Sequence, residues 1–559
     1  MDTKPWLQFY PPEVAPAFDY PKQNLALFLV TSAQKYPRKP AMYFMGKTIS
    51  YKSLLDSAYR MANALRRKGV KKGDRVAIML PNCPQVVISY YGALLAGAVC
   101  VMTNPLYMER EIAYQMKDSG AKVIITMDMF VSRVEKVMEE TKLEHIIVTS
   151  VKDYLPFPKN LLYPIKAKQA GPLPVVHYGS RVHAFKQLLA ASPSDPICES
   201  VDAERDLALL QYTGGTTGTP KGVMLTHLNL VANTVQSANW CYQVEDGKER
   251  YMAALPCFHV FGLTVLLNQA VYRAGMLILV PKFEVAMILD LIKKVKPTLF
   301  PGAPTMYIAL INHPRIQEYD LSSINACISG SAALPVEVQD KFEELTKGRL
   351  IEGYGLTEAS PVTHANPIWG RRKIGTIGIP VPDTEAKVVD PETGEEMPIG
   401  EPGELIVKGP QVMKGYWNRP EETFDTIRNG WLFTGDMATM DEEGYFTIID
   451  RKKDMIIASG YNIYPREIEE VLYEHPSVKE AVVIGAKDDY RGETVKAYIV
   501  LKDGAAPDPS GLEKFCRSQL AAYKVPRQFV FRDALPKTMV GKVLRRKLLE
   551  EEEEGRPTG

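Results

Sequence analysis

The residues best suited to chemistry lie between 212 and 222, where the chain reads YTGGTTGTPKG directly after the apolar run 207–210. Glycines let backbone N–H groups approach phosphate oxygens, threonine hydroxyls donate hydrogen bonds to them, and Lys221 offsets negative charge. A Walker A loop places Gly immediately before its lysine and Ser or Thr after it, whereas Pro220 and Gly222 stand at those places here. The segment therefore predicts a phosphate-binding loop of another type.

Three later residues carry groups that a nucleotide substrate could use. Within the run EGYGLTE, residues 352–358, the ring of Tyr354 can stack on a base, and Glu358 can hold Mg²⁺ together with phosphate oxygens. Asp436 follows a glycine turn and can accept hydrogen bonds from both ribose hydroxyls. Lys542 ends the run PKTMVGK. Taken singly, each also fits a structural role, as a core tyrosine, a helix-end or turn carboxylate, or a solvated lysine.

Helices and strands alternate around these residues. Apolar residues at helical spacing predict a helix over 51–68, and RVAIML predicts a buried strand over 75–80. A further helix is expected over 86–97 and a strand over 122–126. This alternation indicates an α/β body with mostly parallel sheets. From 383 to 446, short apolar runs between Gly, Pro and Asp turns predict a β-rich region, with a small barrel as one form it could take.

Composition limits the class of protein. The 559 residues are 46% hydrophobic and 24% charged, as in soluble globular proteins. The net charge of +1 argues against a dedicated nucleic-acid binder. Seven scattered cysteines without a CxxC pair argue against a disulfide framework or a structural zinc site and favour a reducing compartment. Neither a signal peptide nor a run of the ~20 apolar residues of a membrane span is evident, so we expect a cytoplasmic protein.

The segment 151–170 differs from its surroundings, because it mixes large apolar residues and lysines with prolines that prevent a long helix. Two interpretations stay open. The segment is either a surface excursion that packs its apolar residues locally or an interfacial patch that touches a membrane surface. The second interpretation would place the protein peripherally on the inner face of the membrane. The acidic run Glu550 to Glu554 indicates a solvated tail with no assigned role.

In combination, order and spacing, these motifs resemble the adenylate-forming superfamily of acyl-CoA synthetases, luciferases and peptide-synthetase adenylation domains. The resemblance covers about residues 25–549, and the chain looks most similar to bacterial long-chain fatty acid–CoA ligases. The runs that support this are LQYTGGTTG at 210–218, FHVF at 258–261, DRKKDM at 450–455 and SGYNIYP at 459–465.

The resemblance implies an α/β fold in two domains. Residues 1–450 would form a large N-terminal body of two αβ sheet subdomains plus a small β-barrel. Residues 451–559 would form a small, mobile α+β lid domain with a hinge near Lys453. The implied activity joins an acid to ATP as an acyl-adenylate with release of pyrophosphate, and then transfers the acyl group to coenzyme A with release of AMP. Fatty acid, ATP, Mg²⁺ and coenzyme A are the implied ligands, while the oligomeric state stays open, a homodimer included.

The resemblance also implies a role for each matched residue. The catalytic positions are Lys542, Glu358, Thr216 and His259, of which Thr216 and Glu358 would hold Mg²⁺. The ATP-binding positions are Thr213, Gly214, Gly215, Thr216, Thr217, Gly218, Lys221, Gly330, Ser331, Ala332, Tyr354, Gly355, Leu356, Thr357, Asp436 and Arg451. Positions that serve the hinge and coenzyme A are Lys453, Gly460, Tyr461 and Asn462. His259 would line the acyl and carboxylate end of the pocket, and the ammonium of Lys542 would bridge carboxylate and phosphate.

Other activities known on this fold are distinguishable by single residues. Luciferases carry a lysine where Ile457 stands, so an oxygenase is disfavoured. Amino-acid-activating domains typically place Asp where His259 stands. A non-enzymatic acyl or nucleotide sensor would not need Lys542. An aryl- or medium-chain acyl-CoA ligase shares every catalytic motif and stays as the alternative to a long-chain enzyme.

Overall fold

The computed structural model describes residues 4–163, 175–213, 220–452, 454–458, 461–488, 492–538 and 543–553. Backbone contacts divide the chain into two compact units. The larger unit comprises Trp6–Glu385 and Lys408–Leu432, and the smaller comprises Met1–Pro5, Ala386–Val407 and Phe433–Gly559. The contacts thus group 386–407 and 433–450 with the C-terminal residues, and the boundary at residue 450 with a hinge at Lys453 stays a prediction.

An eight-stranded sheet forms the first layer of the larger unit. In spatial order its strands are Gly415–Tyr416, Lys221–Thr226, Leu207–Thr213, Val99–Met102, Arg75–Met79, Val123–Met127, His145–Thr149 and Val182–Ala184. The six strands from Leu207–Thr213 onward run parallel, and the first two pair antiparallel. The central strands are buried throughout, as expected of a parallel sheet covered on both faces.

Two four-stranded sheets complete the larger unit. One has the order Arg250–Ala253, Met276–Leu279, Pro40–Phe44, Lys47–Ser50, and the other Ala326–Ser329, Arg349–Gly355, Val362–Ala365, Ile379–Pro380. Parallel bridges from Leu299 to Tyr251 and to Ala326 join them. The second sheet pairs Ala326–Ser329 parallel to Arg349–Gly355, so the carboxyl ends of these two strands meet at one edge.

Helices cover these sheets. In the described part of the larger unit they are Leu27–Lys35, Tyr51–Arg67, Pro84–Leu95, Glu109–Ser119, Val131–Met138, Phe185–Ala190, His227–Trp240, Val260–Gly262, Gln269–Tyr272, Val285–Val295, Pro304–Ile311, Val336–Thr346 and Pro420–Thr426, with a π-helical segment at Leu263–Asn268. Short 3₁₀ turns lie at Pro5–Phe9, Asp128–Phe130, Val151–Tyr154, Ile316–Glu318 and Thr357–Ala359.

The sequence predictions for the N-terminal body are confirmed to within a few residues. The helix expected over 51–68 spans Tyr51–Arg67 and begins after Ser50, whose hydroxyl accepts a hydrogen bond from the Ser53 N–H. It ends before Gly69, which has a φ of 81°. The strand expected over 75–80 spans Arg75–Met79. The remaining two predicted elements are Pro84–Leu95 and Val123–Met127.

A five-stranded sheet occupies the region predicted to be β-rich. Its strands are Glu385–Val389, Gly403–Lys408, Trp431–Met440, Ile427–Arg428 and Phe446–Arg451. Trp431–Met440 pairs antiparallel with both Ile427–Arg428 and Phe446–Arg451. Glycine, proline and aspartate turns separate the strands, as their composition predicted.

The C-terminal part of the smaller unit is a compact α+β structure, which confirms the predicted fold class. Its sheet contains Tyr461–Ile463, Ile456–Ala458, Gly492–Leu501, Val478–Asp488 and Gln528–Phe531. Its helices are Pro465–Glu474, Pro509–Gln519 and Arg545–Glu553. Ile468 and Leu472 of the first helix pack in one apolar core with Val483 and Ile499 of the sheet.

Candidate active site

Eight of the predicted site residues lie outside the described residues. They are Gly214, Gly215, Thr216, Thr217, Gly218, Lys453, Gly460 and Lys542. Tyr461 and Asn462 belong to the strand Tyr461–Ile463. The other predicted positions are described, and their placement is given below.

The two ends of the predicted phosphate loop lie side by side. Thr213 is the last residue of one strand and Lys221 the first residue of the next, and the two are direct antiparallel partners. The helix His227–Trp240 then begins with a reciprocal cap, in which Thr226 and Asn229 each accept a backbone N–H bond from the other. The residues on either side of the predicted loop therefore belong to one antiparallel strand pair.

Two aromatic side chains next to this strand pair, those of Tyr212 and Trp417, hydrogen-bond to Asp118. The hydroxyl of Tyr212 donates to the Asp118 carboxylate at 2.6 Å, and the indole N–H of Trp417 donates to the Asp118 carbonyl at 3.0 Å. Burial, together with the Asp118 carboxylate, raises the pKa of Tyr212. A Cβ on Gly222 would come within 3.1 Å of the Tyr212 ring and 3.3 Å of Trp417, so a larger residue would crowd both side chains. The small residue at this end of the motif thus fits the packing of Tyr212 and Trp417.

Lys221 and Glu358 belong to one polar cluster built around Tyr416. The Tyr416 hydroxyl donates to a Glu358 carboxylate oxygen at 2.8 Å, and the Lys221 ammonium lies 5.0 Å from the centre of the Tyr416 ring. The same ammonium pairs with Glu422 at 2.7 Å. Burial and the charge of Glu358 raise the pKa of Tyr416, which stays a neutral donor. The cluster brings two carboxylates near Lys221, the residue at which the predicted phosphate loop ends.

The predicted adenine-binding segments meet at one sheet edge. Gly330, Ser331 and Ala332 directly follow the strand Ala326–Ser329, and Tyr354 lies near the end of its parallel neighbour. The half-buried Tyr354 ring lies edge-on to His364, with centroids 6.0 Å apart. Gly355, Leu356 and Thr357 lead from this ring into the 3₁₀ turn that carries Glu358. Ligands of α/β proteins usually bind beyond the carboxyl ends of parallel strands.

His259 lies beside the same edge. Its Nδ1 accepts the Phe261 N–H at 3.3 Å and so caps the short helix Val260–Gly262. The Phe261 ring lies against Gly330, where a Cβ would come within 2.9 Å of a ring carbon. Downstream, the hydroxyl of Thr264 donates to the Ser360 carbonyl at 2.6 Å. The structure therefore brings together two apolar segments, 260–267 and 359–362.

Two of the predicted ATP-binding residues are neighbours in the smaller unit. Asp436 and Arg451 are direct partners on antiparallel strands, and the Arg451 Nε lies 3.6 Å from an Asp436 carboxylate oxygen. The side chain of Asp436 is largely buried, with 13% of its surface exposed. The side chain of Arg451 is 41% exposed. The Gly435 turn, with a φ of 72°, precedes Asp436.

Sequence reasoning missed Tyr416, Glu422 and Asp118. Tyr416 stands in the run GYWNRP, and an aromatic pair between a glycine and a proline is a signal that could have marked it. Glu422 and Asp118 lie in ordinary helical runs and carry no comparable signal.

The described residues set limits on two further features. Across these residues, no group of three or more His, Cys, Asp and Glu side chains is arranged to hold a metal ion. A magnesium ion in a nucleotide site needs fewer protein ligands, because substrate phosphates and waters complete its shell, and the single carboxylate of Glu358 fits that donor set. In the described part of the chain, every helix is too short or too polar to cross a membrane.

Comparisons with known proteins identify the family. Residues 29–417 match the AMP-binding enzyme family, and residues 467–542 match the AMP-binding enzyme C-terminal domain. The chain therefore belongs to the AMP-binding enzymes, which confirms the predicted adenylate-forming class.

Individual relatives cover nearly the whole chain. A long-chain-fatty-acid–CoA ligase of Bacillus subtilis (strain 168) is 54% identical over 99% of this chain and 98% of its own length. The crystal structure of ATP-bound MatB from Rhodopseudomonas palustris is similar with a TM-score of 0.83, at 31% identity over 95% of this chain and 99% of its own. The anthranilate CoA ligase AuaEII, in complex with anthranoyl-AMP, gives a TM-score of 0.83 at 29% identity over 95% and 98%.

Proposed function

We propose that this protein is an ATP-dependent long-chain fatty acid–CoA ligase. The observation that carries the proposal is the cluster in which Tyr416 joins Glu358 to Lys221 beside the two ends of the phosphate loop. It brings the carboxylate of Glu358 and the ammonium of Lys221, from segments far apart in sequence, to one place. The relative at 54% identity, named for long-chain fatty acids, supports the substrate class.

In the proposed site, each element serves one part of ATP. The 213–221 loop binds the β- and γ-phosphates through its backbone N–H groups, its hydroxyls and Lys221. Tyr354 stacks on adenine, and Gly330–Ala332 flank the ring. Asp436 accepts hydrogen bonds from the ribose hydroxyls, and the Arg451 Nε lies 3.6 Å from that carboxylate. Glu358 and Thr216 would hold Mg²⁺, which, when bound, offsets the negative charge of the phosphate chain.

The proposed reaction has two steps. A carboxylate oxygen of the fatty acid attacks the α-phosphorus, and the bond from that phosphorus to the oxygen bridging to the β-phosphate breaks, so that pyrophosphate leaves. The thiol sulfur of coenzyme A then attacks the acyl carbon, the bond from that carbon to the AMP oxygen breaks, and the thiol proton passes to solvent. Lys542 acts in the first step, where its ammonium lowers the repulsion between two anions.

The acyl chain would lie against the apolar segments 260–267 and 359–362. Each buried CH₂ contributes about 0.8 kcal/mol, so a long alkyl chain gains far more from a deep apolar channel than an aryl acid does. The anthranilate ligase has the same fold at 29% identity, and the alternative, an aryl- or medium-chain enzyme, differs only in this pocket.

We expect palmitate to support pyrophosphate release and palmitoyl-CoA formation with a kcat/KM at least about 100-fold above that with benzoate, because the additional buried CH₂ groups stabilise the bound acid. The purified full chain, ATP, Mg²⁺ and coenzyme A with each acid in turn provide the measurement. Octanoate and an assay without acid are the controls. Turnover with benzoate alone would replace the long-chain assignment by the aryl alternative, and no turnover with any acid would favour a sensor.

We further propose that the smaller unit supplies different residues to the two steps. Lys542 and the coenzyme A-facing residues Gly460, Tyr461 and Asn462 lie in one stretch of chain after residue 453. A hinge at Lys453 would let this stretch present each in turn, as in other hinge motions of enzymes. Coenzyme A, like ATP, is a polyanion, and 19 basic against 13 acidic residues over 451–549 suit both.

Contact with a membrane surface is proposed for the segment that begins at residue 151. Phe157, Leu161 and Leu162 expose 79%, 64% and 55% of their surface, and Lys152 and Lys159 are exposed beside them. Exposed large apolar side chains flanked by lysines suit the interface of an anionic bilayer.

We expect the triple variant Phe157→Ser, Leu161→Ser, Leu162→Ser to lose most of the co-sedimentation with phosphatidylglycerol vesicles that the wild-type chain shows. The reason is that buried apolar area provides much of the binding free energy at an interface. Phe424→Ser is the matched control, because Phe424 is 77% exposed elsewhere in the larger unit. Equal sedimentation of all three proteins would remove the proposed contact.

A further inference from the structure

Four ionised side chains form a cluster in the smaller unit. At its centre is Arg545, the first residue of the helix Arg545–Glu553. One of its terminal nitrogens, Nη2, lies 2.7 Å from both carboxylate oxygens of Glu469. The other, Nη1, lies 3.2 Å from Asp454 and 3.4 Å from Asp450. One guanidinium thus joins three carboxylates from two other segments of the chain.

The cluster is largely shielded from water. Arg545 exposes 20% of its side chain, and Asp450, Asp454 and Glu469 expose 2%, 16% and 13%. Burial raises the pKa values of Asp450 and Glu469, while Arg545 opposes that shift. Burial also disfavours the charged guanidinium, but the carboxylates outweigh it and hold the pKa of Arg545 above its usual value. Each of these charged side chains is therefore stabilised mainly by the opposite charge beside it.

Backbone groups fix the carboxylates in turn. Asp450 accepts the N–H groups of Arg451 at 2.7 Å and Arg466 at 2.8 Å. Glu469 accepts the Val483 N–H at 2.7 Å. Three segments of the unit are thereby joined at Arg545: the strand end at 450–454, the helix Pro465–Glu474 and the start of the helix Arg545–Glu553.

The helix Arg545–Glu553 does not depend on this cluster for its attachment. Glu552 pairs with Lys496 at 2.7 Å, Glu551 pairs with Arg532 at 2.5 Å, and Leu548 is fully buried. Because these contacts hold the rest of the helix, the links from Arg545 to Asp450 and Asp454 act chiefly on the first turn. A role beyond attachment of the helix is therefore needed to account for three carboxylates gathered at one arginine.

The position of the cluster in the sequence suggests that role. Asp450 and Asp454 stand on either side of the predicted hinge residue 453, and Arg545 follows the predicted adenylation residue 542 by three positions. Three residues of chain span at most about 10 Å, so the anchor at Arg545 limits where the preceding segment can lie.

We propose that Arg545 is a positioning residue for adenylation, which ties the chain following Lys542 to both sides of the hinge. Rotation about the hinge would carry Arg545 together with Asp454 and Glu469, whereas the pair with Asp450 crosses the hinge and holds the first turn of the helix in the observed arrangement. This inference rests on the proposed function. Misplacement of a reacting group by about 1 Å can cost about 100-fold in rate, so a loosened anchor acts on the rate of adenylation more than on the binding of ATP.

Two variants of the full-length chain test this proposal. Arg545→Lys keeps the positive charge but loses the two guanidinium nitrogens that contact three carboxylates. Asp454→Asn keeps the Arg545–Glu469 pair but weakens the contact of Arg545 with the residue that follows the predicted hinge. Arg546→Ala is the matched control, because Arg546 is the next residue, is 58% exposed and pairs along its own helix with Glu550. The measurements are ATP–pyrophosphate exchange with palmitate, thioester formation from supplied palmitoyl-adenylate and coenzyme A, and the melting temperature.

We expect both variants to lower the kcat of exchange by roughly 10- to 100-fold, with the KM for ATP changed less than about 2-fold and thioester formation largely retained. Arg546→Ala should behave as wild type. Exchange at the wild-type rate in both variants would overturn the inference while the activity of the wild-type enzyme keeps the proposed function. Equal loss of both steps with a lowered melting temperature would also overturn it, because that pattern is purely structural. A wild-type chain without exchange for any acid would overturn both proposals.

Discussion

Replacement of Lys542 by alanine is expected to slow acyl-adenylate formation by roughly 100- to 1,000-fold while the thioester step proceeds. The magnitude is that found when a preorganised group facing developing charge is removed from an enzyme site. Adenylation joins a carboxylate to a polyphosphate, so a cation between them is worth most in this step. The thiol attack on the acyl-adenylate has no such meeting of two anions at the α-phosphorus, and the loss of Lys542 should leave it nearly unchanged.

The two half-reactions can be measured separately for this variant. ATP–pyrophosphate exchange reports adenylation, and supplied palmitoyl-adenylate with coenzyme A reports thioester formation. Lys547→Ala is the control, because Lys547 is an exposed lysine five residues further along. Full exchange activity in the Lys542→Ala enzyme would remove the residue from the mechanism, and equal loss of both steps would point to a folding defect.

Glu358→Gln is the second change with a large expected effect. The glutamine keeps the shape of the side chain and an oxygen that can accept the Tyr416 hydroxyl bond, now 2.8 Å long, but loses the charge that a magnesium ion requires. Loss even of the groups that orient a metal ligand costs about 10- to 100-fold, so loss of the ligand itself should cost at least about 100-fold in kcat/KM. Removal of Mg²⁺ should lower the kcat/KM of the wild-type enzyme by at least as much.

Magnesium dependence separates this effect from simple destabilisation. The Glu358→Gln enzyme should need a higher Mg²⁺ concentration for half-maximal activity, whereas Glu421→Gln, on the exposed first turn of the helix Pro420–Thr426, should titrate as wild type. An unchanged Mg²⁺ dependence in the Glu358 variant would exclude it as a ligand of the ion.

Local sequence signals predicted the elements but not the contacts between them. Apolar spacing placed the helix at Tyr51–Arg67 and the strand at Arg75–Met79, because each depends on residues within a few positions. The Gly- and Thr-rich run predicted a phosphate loop, since glycine N–H groups and threonine hydroxyls suit phosphate oxygens. The resemblance supplied the positions of Asp436 and Arg451, and the structure pairs these on adjacent strands.

The remaining features depend on packing between distant segments. The bond from Tyr416 to Glu358 spans 58 positions, and the contact of Arg545 with Asp450 spans 95. No periodicity in either segment encodes its partner, because both contacts exist only after separate elements have packed. The grouping of 386–407 with the C-terminal residues has the same origin, since it follows from strand order rather than from any break in composition.

The most direct test of the central claim follows the oxygen of the acid. Palmitate labelled with ¹⁸O in both carboxylate positions is incubated with the enzyme, ATP, Mg²⁺ and coenzyme A, and the products are analysed by mass spectrometry. Because the carboxylate oxygen attacks the α-phosphorus and stays on it when the thiol displaces AMP, we predict one ¹⁸O atom in AMP, none in pyrophosphate, and palmitoyl-CoA in equal amount. Label in inorganic phosphate with ADP as the nucleotide product, or AMP without label, would contradict the acyl-adenylate route.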